Sequence, residues 1–303
     1  ADARLTAMRI AFLGTGRMGT ELARHLLAEH ELVVWNRTAG RTVPLQQAGA
    51  RTAASPADAV DGADVVVTAL FGPDTVCEVV ITPALIPAGV PWLDTTTVSP
   101  ADADGFARAV PTYVACPVVG TLGPAREGRL GVYVGTADDA LREQAAQLVA
   151  PWADPERLRQ VPSARQAAVG KLLANLALAV SAQGLREALA FAEATGTEPE
   201  DALDMLSATG LAFIAGMKGP FVRGERSTSP GDFTVDAIAK DVRLMLDTVD
   251  GVGDIPADDV APGAELTAVR ATLDSLEQEQ DAGRGDHDFS AILLPENAKQ
   301  LED

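Results

Sequence analysis

Short apolar runs recur between residues 8 and 135 and are separated by amphipathic or turn-rich segments. Runs of this length, bounded by Gly, Pro and polar residues, predict β-strands. ADVVVTAL is the clearest, because an uninterrupted β-branched stretch is typical of a strand buried on both faces of a parallel sheet. We expect strands at residues 8–14, 31–36, 48–52, 63–70, 91–97, 111–120 and 130–135, and the last of these closes the set.

Helical patterns lie between several of these strands, at residues 17–28 and at PADAV, residues 56–60. Strands that alternate with helices predict a parallel α/β sheet with right-handed crossover connections. After about Pro162 the pattern changes, because β-branched strands stop and a helical period runs from about residue 163 to 194. Further helices are predicted at residues 199–209, 234–250 and 263–280.

The length of 303 residues suggests two domains, or one domain with a large extension. We predict a sheet domain over residues 1–162 and an all-helical domain over residues 163–303, with a long interdomain helix at about 163–194. Met8 would serve as a native start, so residues 1–7 are expected to be an extension. The acidic run at residues 254–265 is expected to be a solvated loop that leads into a helix.

Composition and charge narrow the class of protein. The chain is 47% hydrophobic, which is enough to form a core. Every stretch of 18 residues that is mainly apolar is interrupted by a charged residue, Gly or Pro, so we expect no membrane span. The formal net charge of −19 argues against nucleic acid or an anionic membrane as a partner. The two cysteines, Cys77 and Cys116, give no disulfide framework, so we expect the protein in a reducing cytoplasm. Neither they nor His25, His30 and His287 show metal-ligand spacing, so no metal is expected.

The first strand ends in GTGRMG, which matches G-x-G-x-x-G between a predicted strand and a predicted helix. Gly14 allows the tight turn, Gly16 lets the backbone approach a pyrophosphate, and Gly19 lets the helix pack closely on the strand. The diphosphate would rest on the helix N-terminus, where free N–H groups and the dipole favour an anion. The alternative is a plain glycine turn. The residues of this candidate site are Gly14, Thr15, Gly16, Arg17, Met18 and Gly19.

The end of the second strand distinguishes NAD from NADP. NAD sites usually place an Asp or Glu there, which accepts a hydrogen bond from the ribose 2′-OH. This chain has Asn36, Arg37 and Thr38 instead, with Arg41 about one turn later. A guanidinium and a hydroxyl would bind the 2′-phosphate that an acid would repel, so the sequence predicts NADP. The alternative is that Arg37 is an exposed surface arginine without this role.

Two further strand ends are expected at the same edge of the sheet, because ligands of open α/β sheets bind outside the carboxyl ends of the strands. After the fourth strand, Leu70 and Phe71 would line the ribose and nicotinamide. After the next strand, Thr96 and Thr97 would offer hydroxyls near the nicotinamide. The same segment is also good helix-capping sequence, with Ser99 before a proline, and both interpretations stay open.

The stretch GKLLANLALAV, residues 170–180, reads as a helix that is apolar on nearly every side. Lys171 and Asn175 are four residues apart, about 40° around the axis, so they form one polar spot on that helix. An unpaired buried ammonium is unfavourable, so such a lysine either loses its proton more readily or finds a partner. A lysine with a lowered pKa is a usable proton donor near neutral pH, and an amide beside it can hold a polar substrate group. Alternatively, Lys171 extends to solvent at the helix start.

Several motifs, in their order along the chain, resemble the β-hydroxyacid dehydrogenase family, which includes 3-hydroxyisobutyrate dehydrogenase and glyoxylate/succinic semialdehyde reductases. They are GTGRMG, WNRT, DTTTVSP, CPVVGTLGPAREGRL, GKLLAN, KDVRLMLD and GRGDHDFSA, and they cover nearly the whole chain. The resemblance implies an α/β fold with an N-terminal Rossmann dinucleotide-binding domain, a long interdomain helix and an all-α C-terminal domain. It also implies homodimers or homotetramers formed through the helical domain.

The resemblance further implies roles for individual residues. Lys171 would be the general acid that protonates the carbonyl oxygen as hydride arrives from NADPH. Asn175 would hold the substrate together with Lys171. Phe233 and Lys240 would close over the cofactor.

One departure from the family concerns the substrate. The family usually has Ser-Gly-Gly in its substrate-binding loop, where the serine and glycine help to bind a substrate carboxylate. The equivalent residues here are Val119, Gly120 and Thr121. The valine side chain cannot donate a hydrogen bond, whereas the threonine hydroxyl can. The substrate is therefore either less acidic than in the family or bound differently.

A small carbonyl compound, an aldehyde or a keto acid, is the expected substrate. The related imine reductases share the fold and an NRT-type cofactor signature, but they generally have Asp or Tyr in place of the family lysine. Lys171 therefore favours a carbonyl substrate, and the altered loop keeps an imine open. A non-catalytic NADPH-binding module is the remaining alternative, against which the intact pair of Lys171 and Asn175 argues.

Overall fold

A computed structural model describes residues 7–251 and 264–294. The chain forms two compact units, Ala1–Leu172 and Leu173–Asp303. The domain boundary expected at residue 162 stays a prediction. Most of the expected extension at residues 1–7, and all but the last two residues of the acidic run at 254–265, lie outside the described residues.

In the described part of the first unit, nine strands form one sheet. They are β1 Arg9–Leu13, β2 Glu31–Trp35, β3 Arg51–Thr52, β4 Val65–Thr68, β5 Trp92–Asp94, β6 Tyr113–Ala115, β7 Val118–Val119, β8 Leu130–Gly135 and β9 Ala153–Val161. Their order is β3-β2-β1-β4-β5-β6-β8-β7, and β9 also pairs with β8. Neighbours from β3 to β6 are parallel. The loops that follow β2, β1 and β4 therefore emerge side by side at one edge of the sheet.

The sheet differs from the prediction in three respects. The segment 111–120 is two strands, because Pro117 has no backbone N–H with which to continue the ladder. β8 is antiparallel to β6 and β7, so the sheet is mixed rather than parallel throughout. β8 also does not close the set, because β9 follows it and pairs with it in parallel. β9 is mostly exposed and reads ADPERLRQV, so it has no apolar run to reveal it.

Both faces of the sheet are buried, and β1 shows this directly. Ile10 and Phe12 belong to one apolar cluster, whereas Ala11 and Leu13 belong to another that includes Trp92. Successive residues of a strand point to opposite faces. Burial on both sides is the reason that the strand is apolar at consecutive positions rather than at alternate ones.

The helices of the first unit connect these strands. They are α1 Arg17–Leu27, α2 Val43–Gln47, α3 Pro56–Val60, α4 Pro73–Val76, α5 Pro100–Ala109, α6 Leu122–Arg126 and α7 Asp139–Val149. Short 3₁₀ turns occur at Ala39–Thr42 and Ala150–Trp152, and a π-helical turn, Cys77–Ile81, directly follows α4. The helices expected at residues 17–28 and 56–60 are confirmed as α1 and α3.

The described part of the second unit is helical. The long helix α8, Ala164–Ala194, begins in the first unit and matches the helix expected at about 163–194. It is followed by α9 Pro199–Leu206, α10 Ala212–Val222, α11 Val235–Asp250, α12 Thr267–Asp281 and a 3₁₀ turn, Phe289–Leu293. α10 was not predicted, because AFIAGMKGPFV contains two glycines and Pro220, all of which disfavour a helix.

Helix α8 was expected not to resemble a membrane span. Among the described residues it is nevertheless the one helix whose length and composition would suffice to cross a membrane. A central helix of a soluble protein meets the same criterion, and the charged residues Lys171, Arg186 and Glu187 interrupt α8. Length and composition alone therefore carry little weight here.

Candidate functional site

The turn after β1 is shaped by close backbone contacts. Gly14 has a φ of +101°, and a Cβ at this position would lie 2.3 Å from the carbonyl oxygen of Ala69. A Cβ on Gly19 would lie 2.1 Å from the carbonyl oxygen of Gly14. Both distances are far below van der Waals contact, so these two positions require glycine for the fold itself.

Gly16 differs from the other two glycines, because a Cβ there would meet no atom within 4 Å. It is the N-cap of α1, and within residues 7–251 and 264–294 no side chain caps that helix or accepts a hydrogen bond from the N–H groups of Arg17 and Met18. Thr15 Oγ1 is buried and makes no hydrogen bond within the described residues. Open space, an uncapped helix start and an unpaired buried hydroxyl together fit the diphosphate of a dinucleotide.

Asn36 ties this turn to the loop after β2. Its Oδ1 accepts a hydrogen bond from the backbone N–H of Thr15 at 3.0 Å, and its Nδ2 donates to the carbonyl oxygen of Thr38 at 3.0 Å. Thr38 is in turn the N-cap of the 3₁₀ turn Ala39–Thr42. Asn36 therefore fixes the shape of two neighbouring loops. In NAD sites the same position usually holds an acidic residue that accepts a hydrogen bond from the ribose.

Arg37 is exposed and forms an ion pair with Glu78, with 2.6 Å between Nη2 and Oε2. A cavity of about 420 Å³ lies beside it and is lined by residues that include Asn36, Arg37 and Gly40. A cavity of this size is in the range that binds small ligands. Glu78 was not predicted from the sequence, because 41 positions separate it from its partner.

The loops after β4 and β5 are joined by hydrogen bonds. The backbone N–H of Leu70 donates to Thr96 Oγ1 at 3.1 Å, and the backbone N–H of Thr95 donates to the carbonyl oxygen of Thr68 at 2.8 Å. Thr96 is buried, Thr97 is half-buried and Phe71 is 58% exposed. Leu70 and Thr96 therefore lie together, as their positions at neighbouring strand ends predict.

A buried carboxylate, Asp94, lies at the base of these loops. Its Oδ1 accepts hydrogen bonds from Thr68 Oγ1 at 2.7 Å and from the backbone N–H of Thr96 at 3.0 Å. Its Oδ2 accepts one from the Tyr113 hydroxyl at 3.3 Å. Burial raises the pKa of Asp94 to about 6, although hydrogen bonds from Thr96, Thr68 and Tyr113 oppose the change. The burial of Asp94 was not predicted, because a local sequence pattern does not reveal which carboxylate is buried.

The helix-capping interpretation of the same segment agrees with the structure. Ser99 Oγ accepts a hydrogen bond from the backbone N–H of Asp102, and Asp102 Oδ2 accepts one from the backbone N–H of Ser99, each at 3.0 Å. This reciprocal capping box begins α5. The segment therefore starts a helix and also holds Thr96 beside Leu70.

The segment that resembles the family's substrate loop is a turn between a strand and a helix. Val119 ends β7 and pairs with Gly131 of β8. Gly120 has a φ of +144°, and a Cβ there would lie 2.6 Å from the side chain of Leu130. Thr121 is the N-cap of α6, but its hydroxyl does not cap that helix. The turn is therefore sterically restricted, and Thr121 supplies its side-chain hydroxyl.

Lys171 and Asn175 lie one turn apart on α8. The Lys171 side chain is half-buried rather than fully buried, whereas Asn175 is 4% exposed. Asn175 Nδ2 donates to Asp241 Oδ2 at 2.6 Å, and Lys240 Nζ donates to Asp241 Oδ1 at 2.5 Å. Asp241 is itself buried. The structure thus joins two expected site residues through a carboxylate that sequence analysis did not single out, although it belongs to the KDVRLMLD motif.

The buried lysine of the described chain is Lys218, not Lys171. Its Nζ lies 2.8 Å from Asp288 Oδ1 and 3.8 Å from the centroid of the Phe289 ring. Burial lowers the pKa of Lys218, and the Asp288 carboxylate opposes that change. Phe233 is half-buried and packs edge-on against Phe289, with 5.6 Å between the centroids. Lys218 was not predicted as a buried residue, because it lies on the unpredicted helix α10.

Two family profiles match consecutive parts of the chain. One describes the NAD binding domain of 6-phosphogluconate dehydrogenase and matches residues 9–155. The other describes the NAD-binding region of NADP-dependent 3-hydroxyisobutyrate dehydrogenase and matches residues 166–295. Together they account for nearly the whole chain, and each coincides with most of one structural unit.

Two relatives illustrate the similarity in sequence. The cytokine-like nuclear factor N-PAC of Anopheles gambiae is 24% identical over 96% of this chain, and the chain spans 50% of that protein. Glyoxylate/succinic semialdehyde reductase 2, chloroplastic, of Arabidopsis thaliana is 26% identical over 95% of this chain and 79% of the relative. The chain therefore spans about half the length of one relative and most of the other.

Solved structures show the same fold. Mycobacterium tuberculosis 3-hydroxyisobutyrate dehydrogenase aligns with a TM-score of 0.78 and 23% identity, over 98% of this chain and 100% of that chain. An imine reductase from Myxococcus stipitatus aligns with a TM-score of 0.62 and 19% identity, over 94% of this chain and 98% of that chain. The profiles and relatives, with this shared fold, show that the chain belongs to the β-hydroxyacid dehydrogenase family of NAD(P)-dependent oxidoreductases.

Proposed function

We propose that the protein is an NADP(H)-dependent oxidoreductase that interconverts a small carbonyl compound and its alcohol. The observation that carries this proposal is the glycine-rich turn after β1. Gly14 and Gly19 are required by the fold, whereas Gly16 leaves open space at an uncapped helix start. An unused space beside free N–H groups is what a dinucleotide diphosphate needs. When bound, the reduced nicotinamide supplies a hydride.

Most of the residues that would hold the cofactor belong to four neighbouring strand ends. The turn after β1 would hold the diphosphate, the loop after β2 the adenosine end, and the loops after β4 and β5 the nicotinamide end. Phe233 and Lys240 are proposed to close over it. The proposed cofactor residues are Gly14, Thr15, Gly16, Arg17, Met18, Gly19, Asn36, Arg37, Thr38, Leu70, Phe71, Thr96, Thr97, Phe233 and Lys240.

NADP is proposed over NAD because the loop after β2 presents a cation rather than a carboxylate. Arg37 is exposed, beside a cavity, and Asn36 is already committed to the backbone of Thr15 and Thr38. A guanidinium binds a phosphate through two parallel hydrogen bonds. Arg37→Asp is expected to weaken the binding of NADPH at least tenfold more than that of NADH. Equal losses for both cofactors would show that the 2′-phosphate is recognised elsewhere.

Lys171 is proposed as the general acid that delivers a proton to the carbonyl oxygen, and as the general base in the reverse direction. An ammonium is a general acid that can donate a proton to a developing alkoxide. Asn175, one turn along α8, is proposed to hold the substrate, and its amide is oriented by Asp241.

The substrate class is proposed from the lysine and from relatives whose names state glyoxylate and succinic semialdehyde as substrates. Val119 replaces the family's usual serine, so side-chain recognition of a carboxylate falls to Thr121. We therefore propose an aldehyde or keto acid whose acidic group, if present, is bound mainly by the backbone of Gly120 and by Thr121. An imine is the second candidate, and the shared fold of the imine reductases motivates its inclusion in the assay.

We also propose that the protein is a cytoplasmic homodimer or homotetramer, assembled through the second unit. Large apolar side chains are exposed there on α8, α9 and α10, and contact with a second copy of the chain would bury them. They are Leu173 at 60%, Phe191 at 73%, Met205 at 69% and Phe213 at 77%. Cys77 and Cys116 are both free thiols, which agrees with a reducing compartment. Light scattering of the purified protein tests the assembly, and a monomer at all concentrations would contradict it.

The decisive experiment is a substrate panel with both cofactors, in which absorbance of the reduced nicotinamide is followed. Glyoxylate, succinic semialdehyde, uncharged aldehydes and a cyclic imine are compared with NADPH and NADH. Reduction of a carbonyl with NADPH supports the proposal. Turnover of the imine alone would replace it with imine reduction, and tight NADPH binding without any turnover would indicate a non-catalytic module.

A further inference from the structure

An ion pair joins the two loops that flank the glycine-rich turn. β1 lies between β2 and β4 in the sheet, so the loop after β1 has the loops after β2 and β4 on its two sides. Arg37 belongs to the first of these flanking loops. Glu78 belongs to the π-helical turn Cys77–Ile81, which follows β4 and α4. The 2.6 Å contact between Arg37 Nη2 and Glu78 Oε2 therefore spans from one flank of the turn to the other.

The backbone around Glu78 is unusual. The N–H of Thr82 donates to the carbonyl oxygen of Cys77 at 2.8 Å, five residues back, which widens the helix by one residue. Such π-helical turns redirect the side chains of a helix and often occur at functional sites. Here the wide turn carries the carboxylate that meets Arg37.

The pair uses the guanidinium that the proposed function assigns to the 2′-phosphate of the cofactor. Both side chains are exposed, Arg37 by 62% and Glu78 by 66%, so their mutual attraction is weak and a phosphate can compete for Arg37. A carboxylate hydrogen-bonded to that guanidinium also stays within a few ångströms of any phosphate that Arg37 binds. The two anions repel each other at that distance.

We propose that Glu78 is a specificity-determining residue that weakens binding of the 2′-phosphorylated cofactor and leaves binding of the unphosphorylated cofactor unchanged. The inference rests on the proposed contact between Arg37 and the 2′-phosphate. Arg37 holds the Glu78 carboxylate and the phosphate close together, so the influence of Glu78 is largely lost when either Arg37 or the phosphate is removed.

The test measures dissociation constants for NADPH and NADH by titration of the purified full-length protein at fixed ionic strength. Glu78→Gln keeps the size of the side chain and removes its charge. It is expected to tighten NADPH binding about three- to tenfold and to leave NADH binding unchanged. The same substitution in an Arg37→Gln background is expected to change neither constant by a comparable factor.

Glu31→Gln is the matched control. Glu31 is also an exposed glutamate paired with an arginine, with 3.2 Å between Arg51 Nη1 and Glu31 Oε1, but it begins β2 at the strand end opposite Arg37. The inference is overturned if Glu78→Gln leaves NADPH binding unchanged or weaker, changes both cofactors equally, or acts no more than Glu31→Gln. A separate failure, in which Arg37→Gln does not distinguish NADPH from NADH, would overturn the proposed NADP preference as well.

Discussion

Asp241 accepts a hydrogen bond from Asn175 at 2.6 Å, although 66 residues separate the two in sequence. The other oxygen of the same carboxylate accepts from Lys240 Nζ at 2.5 Å. One buried anion therefore orients an amide on α8 and a cation on α11. The arrangement leaves each oxygen of Asp241 with a polar donor, as a buried carboxylate requires.

Asp241→Ala is expected to destabilise the second unit by about 2–4 kcal/mol, because it leaves the buried amide of Asn175 without its acceptor. All three tryptophans lie in the first unit, so their fluorescence does not report directly on the second unit. Unfolding in urea is therefore followed by circular dichroism, which reports on the helices. Asp247→Ala, an exposed aspartate on the same helix, is the control, and its effect is expected to stay within about 0.5 kcal/mol of the wild type. Equal effects of the two substitutions would contradict the buried role.

Gly14→Ala and Gly16→Ala are expected to separate folding from cofactor binding. A Cβ on Gly14 would lie 2.3 Å from a carbonyl oxygen in a backbone of φ +101°, so that substitution is expected to cost about 2–4 kcal/mol of stability. Gly16 has an extended backbone and open space, so its substitution is expected to leave stability within about 1 kcal/mol and to weaken NADPH binding at least tenfold. Tryptophan fluorescence and NADPH titration measure the two effects. Normal NADPH binding by Gly16→Ala would contradict the proposed diphosphate site.

The pH dependence of stability is expected to report on Asp94. Burial raises its native pKa from 3.8 to about 6, so between these values the native state binds more protons than the unfolded chain. The free energy of unfolding should therefore fall as pH rises from about 4 to 6, by up to about 3 kcal/mol, and stay level above that range. Asp94→Asn is expected to remove this fall, because an amide does not titrate. Asp61→Asn, an exposed control, should keep the wild-type profile; retention of that profile by Asp94→Asn would refute the assignment.

Lys171→Met is expected to lower kcat by about 10²–10⁴-fold while the dissociation constant for NADPH changes little, because a general acid acts in the chemical step. Lys171→Arg is the control for charge. It retains a cation that does not release its proton near neutral pH, so it should remain impaired. Near-normal turnover in either variant would remove Lys171 from the proposed mechanism.

Several elements follow from local sequence. The strands β1, β2 and β4 are short apolar runs between turns, and α8 is a long sequence with uninterrupted helical periodicity. Their existence and type can therefore be predicted from the residues alone. The glycine-rich turn is also evident from the sequence, because Gly14 combines a positive φ with a close backbone contact and Gly19 has a close backbone contact, which glycine alone accommodates. The family motifs all lie within residues 9–155 and 166–295, the two ranges that the family profiles match.

The strand β9 and the helix α10 were not legible from local sequence. β9 is formed by pairing with β8, and α10 contains Pro220. Strand pairing and tertiary packing can override a weak local propensity for helix or strand. Both depend on residues distant in sequence, so a local stretch of about ten residues does not reveal them.

The sequence by itself determined most of the elements and their order, the dinucleotide motif and the family of this protein, because those depend on residue type and spacing along the chain. Tertiary structure alone decided which charges are buried and which partners they meet. Local sequence does not distinguish a buried charged residue from an exposed one, as the examples of Asp94, Asp241 and Lys218 show. Their burial, and the pairing of Arg37 with Glu78, arise from residues brought together across many tens of positions, and the free energy of a charge depends on those surroundings.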